Sequence, residues 1–276
     1  MDNYERDGYV VVPGVLSGAE VAALRAETVA LCRSTRGPVE GIVPAGAEEP
    51  DGAVIRRYLC IHHPHKLSAA IAAVLSHPAL VPLLRRIVGP DVKAMQSMLF
   101  IKADGKPGQA WHQDEHFIPT RDRSLTAAWI ALDEATVDNG CLWVLPGSHR
   151  PGVLYPDREH DDVRFDCTVE SYGFPYRDED AVPVEVPAGA AVLFNGYLLH
   201  RSLPNNSGGF RRALVNHYMS ASSMLPWGRA AAGDYFAESD YRDIVLVAGT
   251  DPYAYKGLAD LSRPGIRPDR AGGCDR

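Results

Sequence analysis

Apolar positions along the chain fall into two regimes that meet near Gly89. Before it the spacing is mostly helical. Ser17 followed by Glu20 has the form of a capping box, and Val21, Leu24, Thr28 and Leu31 share one face, which predicts a helix beginning after Ser17. The stretch LSAAIAAVLSHPALVPLLRRIVG predicts two short helices divided near His77-Pro78, the second ended by Gly89. A short strand, Tyr9 to Val12, precedes them and is closed by Pro13-Gly14. Ser34 to Gly52, rich in Gly, Pro and Glu without periodicity, reads as a mobile loop.

Beyond Gly89 the pattern changes to short apolar runs between turn signals. Val92 to Lys102, Leu125 to Asp133, Cys141 to Pro146, Val182 to Pro187, Ala190 to Phe194 and Arg211 to Met219 are each predicted as strands. Asp138-Asn139-Gly140 reads as a hairpin turn and Pro187-Ala188-Gly189 as another. Helices that precede the strands instead of alternating with them argue against a doubly wound sheet. The expected fold is mainly β with flanking helices, a barrel or double-sheet jelly roll. Gly152 to Ala181 mixes acidic residues with Phe165, Tyr172, Phe174 and Tyr176; so long a connection in a compact domain is functional or disordered. A single domain over 1–276 is expected: a helical part at about 15–90, a jelly-roll core at about 91–220 and an irregular tail at about 228–276.

Composition narrows the classes. An apolar fraction of 46% against 23% charged residues excludes global disorder. The net charge of −7, with Lys and Arg scattered, leaves no footprint for nucleic acid or an anionic membrane. The acidic start (Asp2, Glu5, Asp7) and the lack of an 18-residue apolar run predict neither a secretory signal nor a membrane span, so a cytoplasmic protein is expected. Cys32, Cys60, Cys141, Cys167 and Cys274 show no C-x-x-C spacing and read as free thiols. Oligomeric state is left open.

The chemistry concentrates in AWHQDEHF, Ala110 to Phe117. As a helix it would align His112 with His116, but Gly105, Pro107, Gly108 and Pro119 leave a helix little room. As a strand it points His112 and Asp114 to the same side. Two protein ligands under-coordinate a divalent ion, and His200, at the exit of an apolar strand, is the best third. Two His and one carboxylate with open positions are the donor set of non-haem Fe(II) oxygenases, whereas zinc favours four-coordination. Arg211 follows His200 by eleven residues. A hairpin would return its planar fork toward the metal to grip a carboxylate, with Ser202 adding a hydroxyl. By alternation only one of Arg211 and Arg212 faces inward. The bland readings are a capping His and Asp, a solvated arginine pair, and core roles for Trp129 and Met98. HHPH, His62 to His65, resembles a second metal cluster, but Pro64 disrupts its spacing and loop histidines are its simpler reading.

In AMQSMLFIK, WHQDEHFIP, AAWIALDEATVDNGCLWVLPGSHRPG and the His200-to-Arg211 spacing, the chain resembles the phytanoyl-CoA dioxygenase family of Fe(II)- and 2-oxoglutarate-dependent oxygenases. The resemblance runs from DGYVVVPGVLS to about HYM and leaves roughly the last 50 residues unmatched. It implies a double-stranded β-helix, the cupin-like jelly roll. His112, Asp114 and His200 would ligate iron, and Arg211 with Ser202 would clamp 2-oxoglutarate. Gln96, Met98, Trp129 and Gln113 match positions lining the cosubstrate side, and Arg57 a further basic position near it. The implied reaction consumes O2 and 2-oxoglutarate, releases succinate and CO2, and removes a substrate hydrogen. Hydroxylation is the expected outcome, with desaturation, ring closure and epoxidation as variants. Halogenases of this kind have a small residue where this chain has Asp114, so halogenation is disfavoured. Candidates for the substrate pocket are His116, Phe117, Arg56, Arg57, Tyr58, Tyr197 and the aromatics of the 152–181 insertion. With no basic cluster for coenzyme A phosphates, the expected substrate is a small or mid-sized metabolite, in a setting such as bacterial natural-product biosynthesis. Two alternatives come from other classes: a zinc hydrolase on the same triad, and a non-catalytic jelly-roll binding protein.

Overall fold

The computed structural model describes residues 2–227 and 240–269. Helices α1 (Asp2–Asp7), α2 (Gly18–Cys32), α3 (Asp51–Ile55), α4 (Ala69–Leu75), α5 (Val81–Ile87) and α6 (Asp114–Phe117) accompany fourteen strands among these residues. In chain order the strands are β1 (Tyr9–Val12), β2 (Tyr58–His62), β3 (Val92–Ala103), β4 (Gln109–His112), β5 (Thr126–Ala131), β6 (Leu142–Val144) and β7 (Asp157–Arg158). They continue with β8 (Glu170–Ser171), β9 (Val182–Val184), β10 (Ala191–Asn195), β11 (His200–Ser202), β12 (Phe210–Ser220), β13 (Val245–Ala248) and β14 (Gly265–Pro268). The large sheet has the order β1-β10-β5-β12-β3-β2-β14, with β13 also on β3; the small one is β4-β11-β6-β9. All pairings between these strands are antiparallel. The two sheets form the expected jelly roll. No helix among the described residues is long and apolar enough to cross a membrane.

Alternation explains why the large sheet's strands read as unbroken apolar runs. On β5, Ala127, Trp129 and Ala131 face the small sheet's Leu142, Val144 and Val184, while Ala128 and Ile130 face the helices with Leu214 and Leu99. Both faces are covered, so neither needs polar residues. Helix α2 is capped as expected, by Ser17 and Glu20, and buries Val21, Leu24, Thr28 and Leu31.

Several expectations are corrected. The Asp138–Gly140 and Pro187–Gly189 turns exist, with Gly140 and Gly189 at φ of 81° and 86°, but neither closes a hairpin. Each carries the chain between sheets, from β5 to β6 and from β9 to β10. The 34–52 loop is pinned: the Arg33 guanidinium donates to the Gly46 and Glu49 carbonyls and pairs with Asp51. The tail is not wholly irregular, since β13 extends β3 and β14 pairs with β2; its remainder at 228–239 and 270–276 lies outside the described residues. Cys32, Cys60 and Cys141 are free and buried, whereas Cys167 is disulfide-bonded, against the expectation of thiols throughout. Cys274 lies outside the described residues.

Candidate metal and cosubstrate site

The small sheet builds the centre. In the antiparallel pairing of β4 with β11, His112 and His200 are direct cross-strand partners, with ring centroids 4.0 Å apart. Strand β4 ends at His112, so Asp114 is not on it, as the sequence reading had it, but opens the single turn of α6. Gln113 between them stays extended (φ −127°, ψ 126°), which keeps the two side chains on one side. Oδ1 of Asp114 is 3.5 Å from Nε2 of His200 and 3.9 Å from Nε2 of His112. One ligand atom from each of the three residues lies within 4.8 Å of the others, and all three residues are buried.

Whether a metal fits is decided at the other ring nitrogens. Nδ1 of His112 is 2.8 Å from the Ala110 carbonyl, and Nδ1 of His200 is 2.9 Å from that of Leu198. A carbonyl only accepts, so each Nδ1 carries a hydrogen and each Nε2 is the atom turned inward, the one a metal would take from a neutral ring. Burial, with His200 alongside, pushes His112 down to about 4, so it is neutral at neutral pH. Burial works to raise the Asp114 carboxyl, but His200, His217 and His112 together hold it well below the usual range, ionised. Two imidazoles with inward-facing Nε2 atoms and one carboxylate suit a ferrous ion.

A cavity of about 360 Å³ opens from this triad between the sheets. At one end of it β12 places Arg211 directly across from Lys102 of β3. Arg211 is 3% exposed and lies over the Trp129 ring at 5.5 Å. Its Nε has no partner, and neither Arg211 nor Lys102 is in an ion pair among the described residues. Lys102 Nζ donates to Ser202 Oγ (2.8 Å) and to the Leu203 carbonyl (2.7 Å). Burial lowers both cations, Arg211 to about 10 and Lys102 well below its ordinary value, with Arg211 adding to the effect on Lys102. Two buried, uncompensated positive groups are costly without an anion, so this end suits the distal carboxylate of a 2-oxo diacid. Arg212 pairs outward with Asp133 at 2.7 Å, as alternation requires. The chain reaches Arg211 by crossing from the small sheet to the large, not by the hairpin that the sequence suggested.

Gln96, Met98, Trp129, Ser202 and Phe117 line the cavity. Gln113, His116, Arg56, Arg57, Tyr58 and Tyr197 do not. The Gln113 amide is turned away, donating to the Val153 and Tyr197 carbonyls and accepting from Tyr155 N–H. His116 pairs with Asp157 at 2.9 Å, Arg57 with Glu49, and Arg56 caps the Asp104 carbonyl. Tyr58 is core, its hydroxyl tied to the Val43 backbone. The Tyr197 ring lies under Arg123. Of the 152–181 insertion, Thr168 reaches the cavity, while Tyr155, Phe174 and Tyr176 pack outside it against Trp111. Among the described residues the triad is the one metal-ligating group, so HHPH forms none; His62 lines the cavity instead, pushed down to about 4 by burial. Lys102, His217 and Arg267 escaped the sequence reading. For Lys102 a signal existed: it ends an apolar strand that must pair with the one bearing Arg211.

A jelly roll holding a buried His-Asp-His triad that opens on a cavity has the architecture and donor set of the non-haem iron oxygenases. More narrowly, the chain belongs to the phytanoyl-CoA dioxygenase family, whose model matches residues 4–213. The peroxisomal phytanoyl-CoA dioxygenase of Rattus norvegicus is 31% identical over 229 residues, covering 79% of this chain and 67% of that protein. A probable alpha-ketoglutarate-dependent hypophosphite dioxygenase of Stutzerimonas stutzeri is 27% identical over 237 residues, 84% of this chain and 82% of that protein. Among solved structures, the non-heme monooxygenase ThoJ superposes with a TM-score of 0.68 at 22% identity, covering 97% of this chain and 87% of the other.

Proposed function

We propose that this protein, an Fe(II)- and 2-oxoglutarate-dependent dioxygenase, hydroxylates an unactivated C–H of a small or mid-sized metabolite and releases succinate and CO2. The observation that carries the reading is the pairing, in one cavity, of the His112, Asp114 and His200 triad with the unpaired cation Arg211. When bound, iron with 2-oxoglutarate supplies the oxidising equivalents drawn from O2. The protein's share is placement. His112, Asp114 and His200 hold the metal on one side, leaving the cavity side for the cosubstrate, O2 and the neighbouring substrate. Arg211 grips the distal carboxylate, with Lys102 beside it orienting Ser202, while Trp129 and Met98 wall the cosubstrate off from water.

The remaining cavity wall suggests the substrate's chemistry. Phe117, Ile118 and Trp227 are apolar; Gln96, His62 and Thr168 are polar. Among the described residues Asp114 is the one carboxylate lining the cavity, so a cationic substrate would find no partner there but a metal ligand. Arg201 and Arg267 also line the cavity, but they are paired with Asp178 and Asp166 and leave no free cluster for the phosphates of a coenzyme A thioester. A largely apolar, neutral or weakly acidic molecule fits best, with nothing in the cavity calling for nucleic acid or membrane. The test is a substrate screen scored by succinate formation with Fe(II), 2-oxoglutarate and O2. Turnover by zinc-loaded protein, or none with iron across a broad panel, would overturn it.

A further inference from the structure

One buried side chain in the metal pocket has no part in the scheme above. His217 is 3% exposed and stands on β12, immediately before the bulge that breaks the register between His217 and Tyr218. A bulge re-aims the side chains beside it. The Nε2 of His217 lies 3.3 Å from Oδ2 of Asp114. The other carboxylate oxygen, Oδ1, is the one near His200 and His112. The two oxygens of one carboxylate are thus divided between an imidazole on the large sheet and the ligand pair on the small sheet. An ionised carboxylate can only accept, so Nε2 of His217 carries the hydrogen and donates.

We propose that His217 is a positioning residue for the metal site: by donating to Oδ2 it fixes the Asp114 carboxylate plane and leaves Oδ1 as the single metal donor. Nothing else among the described residues donates to Oδ2, and Asp114 sits on a one-turn helix that does little by itself to fix its rotamer. Without His217 the carboxylate is free to swing or to chelate through both oxygens, closing a coordination position that the cosubstrate or O2 needs. Strand β12 would then serve the centre twice, anchoring the cosubstrate through Arg211 and the metal ligand through His217. The inference rests on the iron reading and extends it to a residue on the opposite sheet.

The experiment measures metal affinity apart from turnover. Fe(II) and Co(II) are titrated anaerobically into the full-length apo-protein, native and with His217→Ala, His217→Phe and His217→Gln, and the melting temperature of each apo form is recorded. Losing a partner of a metal ligand costs about 10–100-fold in affinity. Ala and Phe should each show that loss, and Gln, whose amide N–H2 falls near the position of Nε2, should recover most of it. Native-like metal affinity in Ala and Phe, with the native protein binding normally, overturns the inference. So does Gln as weak as Phe at equal apo stability, since the donor would then not be the cause. If His217→Ala fails to fold, Gln against Phe decides alone. Failure of the native protein to bind either ion, or unchanged binding in Asp114→Ala, would instead refute the iron reading itself.

Discussion

Arg211→Ala separates the cosubstrate from the metal. The guanidinium is 3% exposed and without an ion-pair partner among the described residues, so a dicarboxylate reaching it would form a fully desolvated, charge-assisted pair. Truncating one member of such a pair costs about 2–5 kcal/mol. Two features pull the figure toward the lower end. Lys102 remains opposite, and losing Arg211 removes one of the charges that depress its amine, so Lys102 becomes a better cation in the variant. The expected loss is therefore about 2–3 kcal/mol, or roughly 30- to 150-fold in 2-oxoglutarate affinity. Iron should be retained, because Arg211 lies six residues along β12 from His217, the strand's contact with the triad, or about 20 Å of strand. Anaerobic calorimetry of Fe(II), then of 2-oxoglutarate into the Fe(II) protein, reads both constants. A parallel fall in the two, or unchanged cosubstrate binding, would refute the assignment. Without any ligand, Arg211→Met removes a buried charge that has no ion-pair partner among the described residues and should raise the melting temperature of the cosubstrate-free protein.

Lys102→Met should weaken 2-oxoglutarate by roughly tenfold, as the loss of one charged hydrogen-bonding group. It should also stabilise the apo-protein at neutral pH. The folded-state amine is depressed well below 10.5, so the unfolded chain binds the extra proton; the gain should shrink as pH rises toward 10.5, and a gain that grows with pH would contradict it. Gly108→Ala would set a Cβ 1.9 Å from the Ser202 carbonyl oxygen and 2.8 Å from its carbon, forcing β4 off β11. A cost of about 1–3 kcal/mol with weakened Co(II) binding is expected, and intact metal binding would show that this pairing does not set the triad. Ser17→Ala removes a reciprocal helix cap and should lower the melting temperature by roughly 2–4 °C at pH 7. The bond from the Ser17 hydroxyl to the Glu20 carboxylate helps hold that carboxyl down to about 2, so this share of the stabilisation is present above pH 4.5 and fades from there toward 2, whereas the share in which the Ser17 hydroxyl accepts from the Glu20 N–H does not titrate; a native-to-variant difference that fails to shrink over that range would show that the hydroxyl–carboxylate bond contributes nothing.

What could be read from the sequence was what periodicity and covalent spacing fix. The face of α2, the span of β3 and the inward turn of Arg211 over Arg212 are local facts, and the structure carries them. His112 and Asp114 converge because the backbone between them is extended, even though the strand stops at His112. The sheet that each turn serves was not local. Asp138–Gly140 and Pro187–Gly189 have the chemistry of hairpin turns, yet a jelly roll uses them to cross between layers. Strand β14, four residues with a proline and no alternation, exists because β2 offers an unpaired edge.

The same division explains where the site reading failed. Tyr58 opens the strand that contributes His62 to the cavity and Arg57 precedes it, but Tyr58 packs in the core with its hydroxyl on the Val43 backbone, Arg57 pairs with Glu49, and only His62, opposite Met98, reaches the cavity. Arg211, Val215 and His217 lie on one face of β12, opposite Lys102, Met98 and Gln96 on β3, and all six line a cavity or its cationic end. From one end of this face to the other the side chains run from cationic through apolar to an amide and an imidazole. A 2-oxo diacid anchored at the cationic end must direct its reactive end toward the triad, which leaves the Gln96 and His217 end for the molecule to be oxidised. On this argument Gln96→Leu should alter which substrates are accepted while sparing 2-oxoglutarate affinity, whereas a cosubstrate loss as large as that of Arg211→Ala would place Gln96 with the clamp instead.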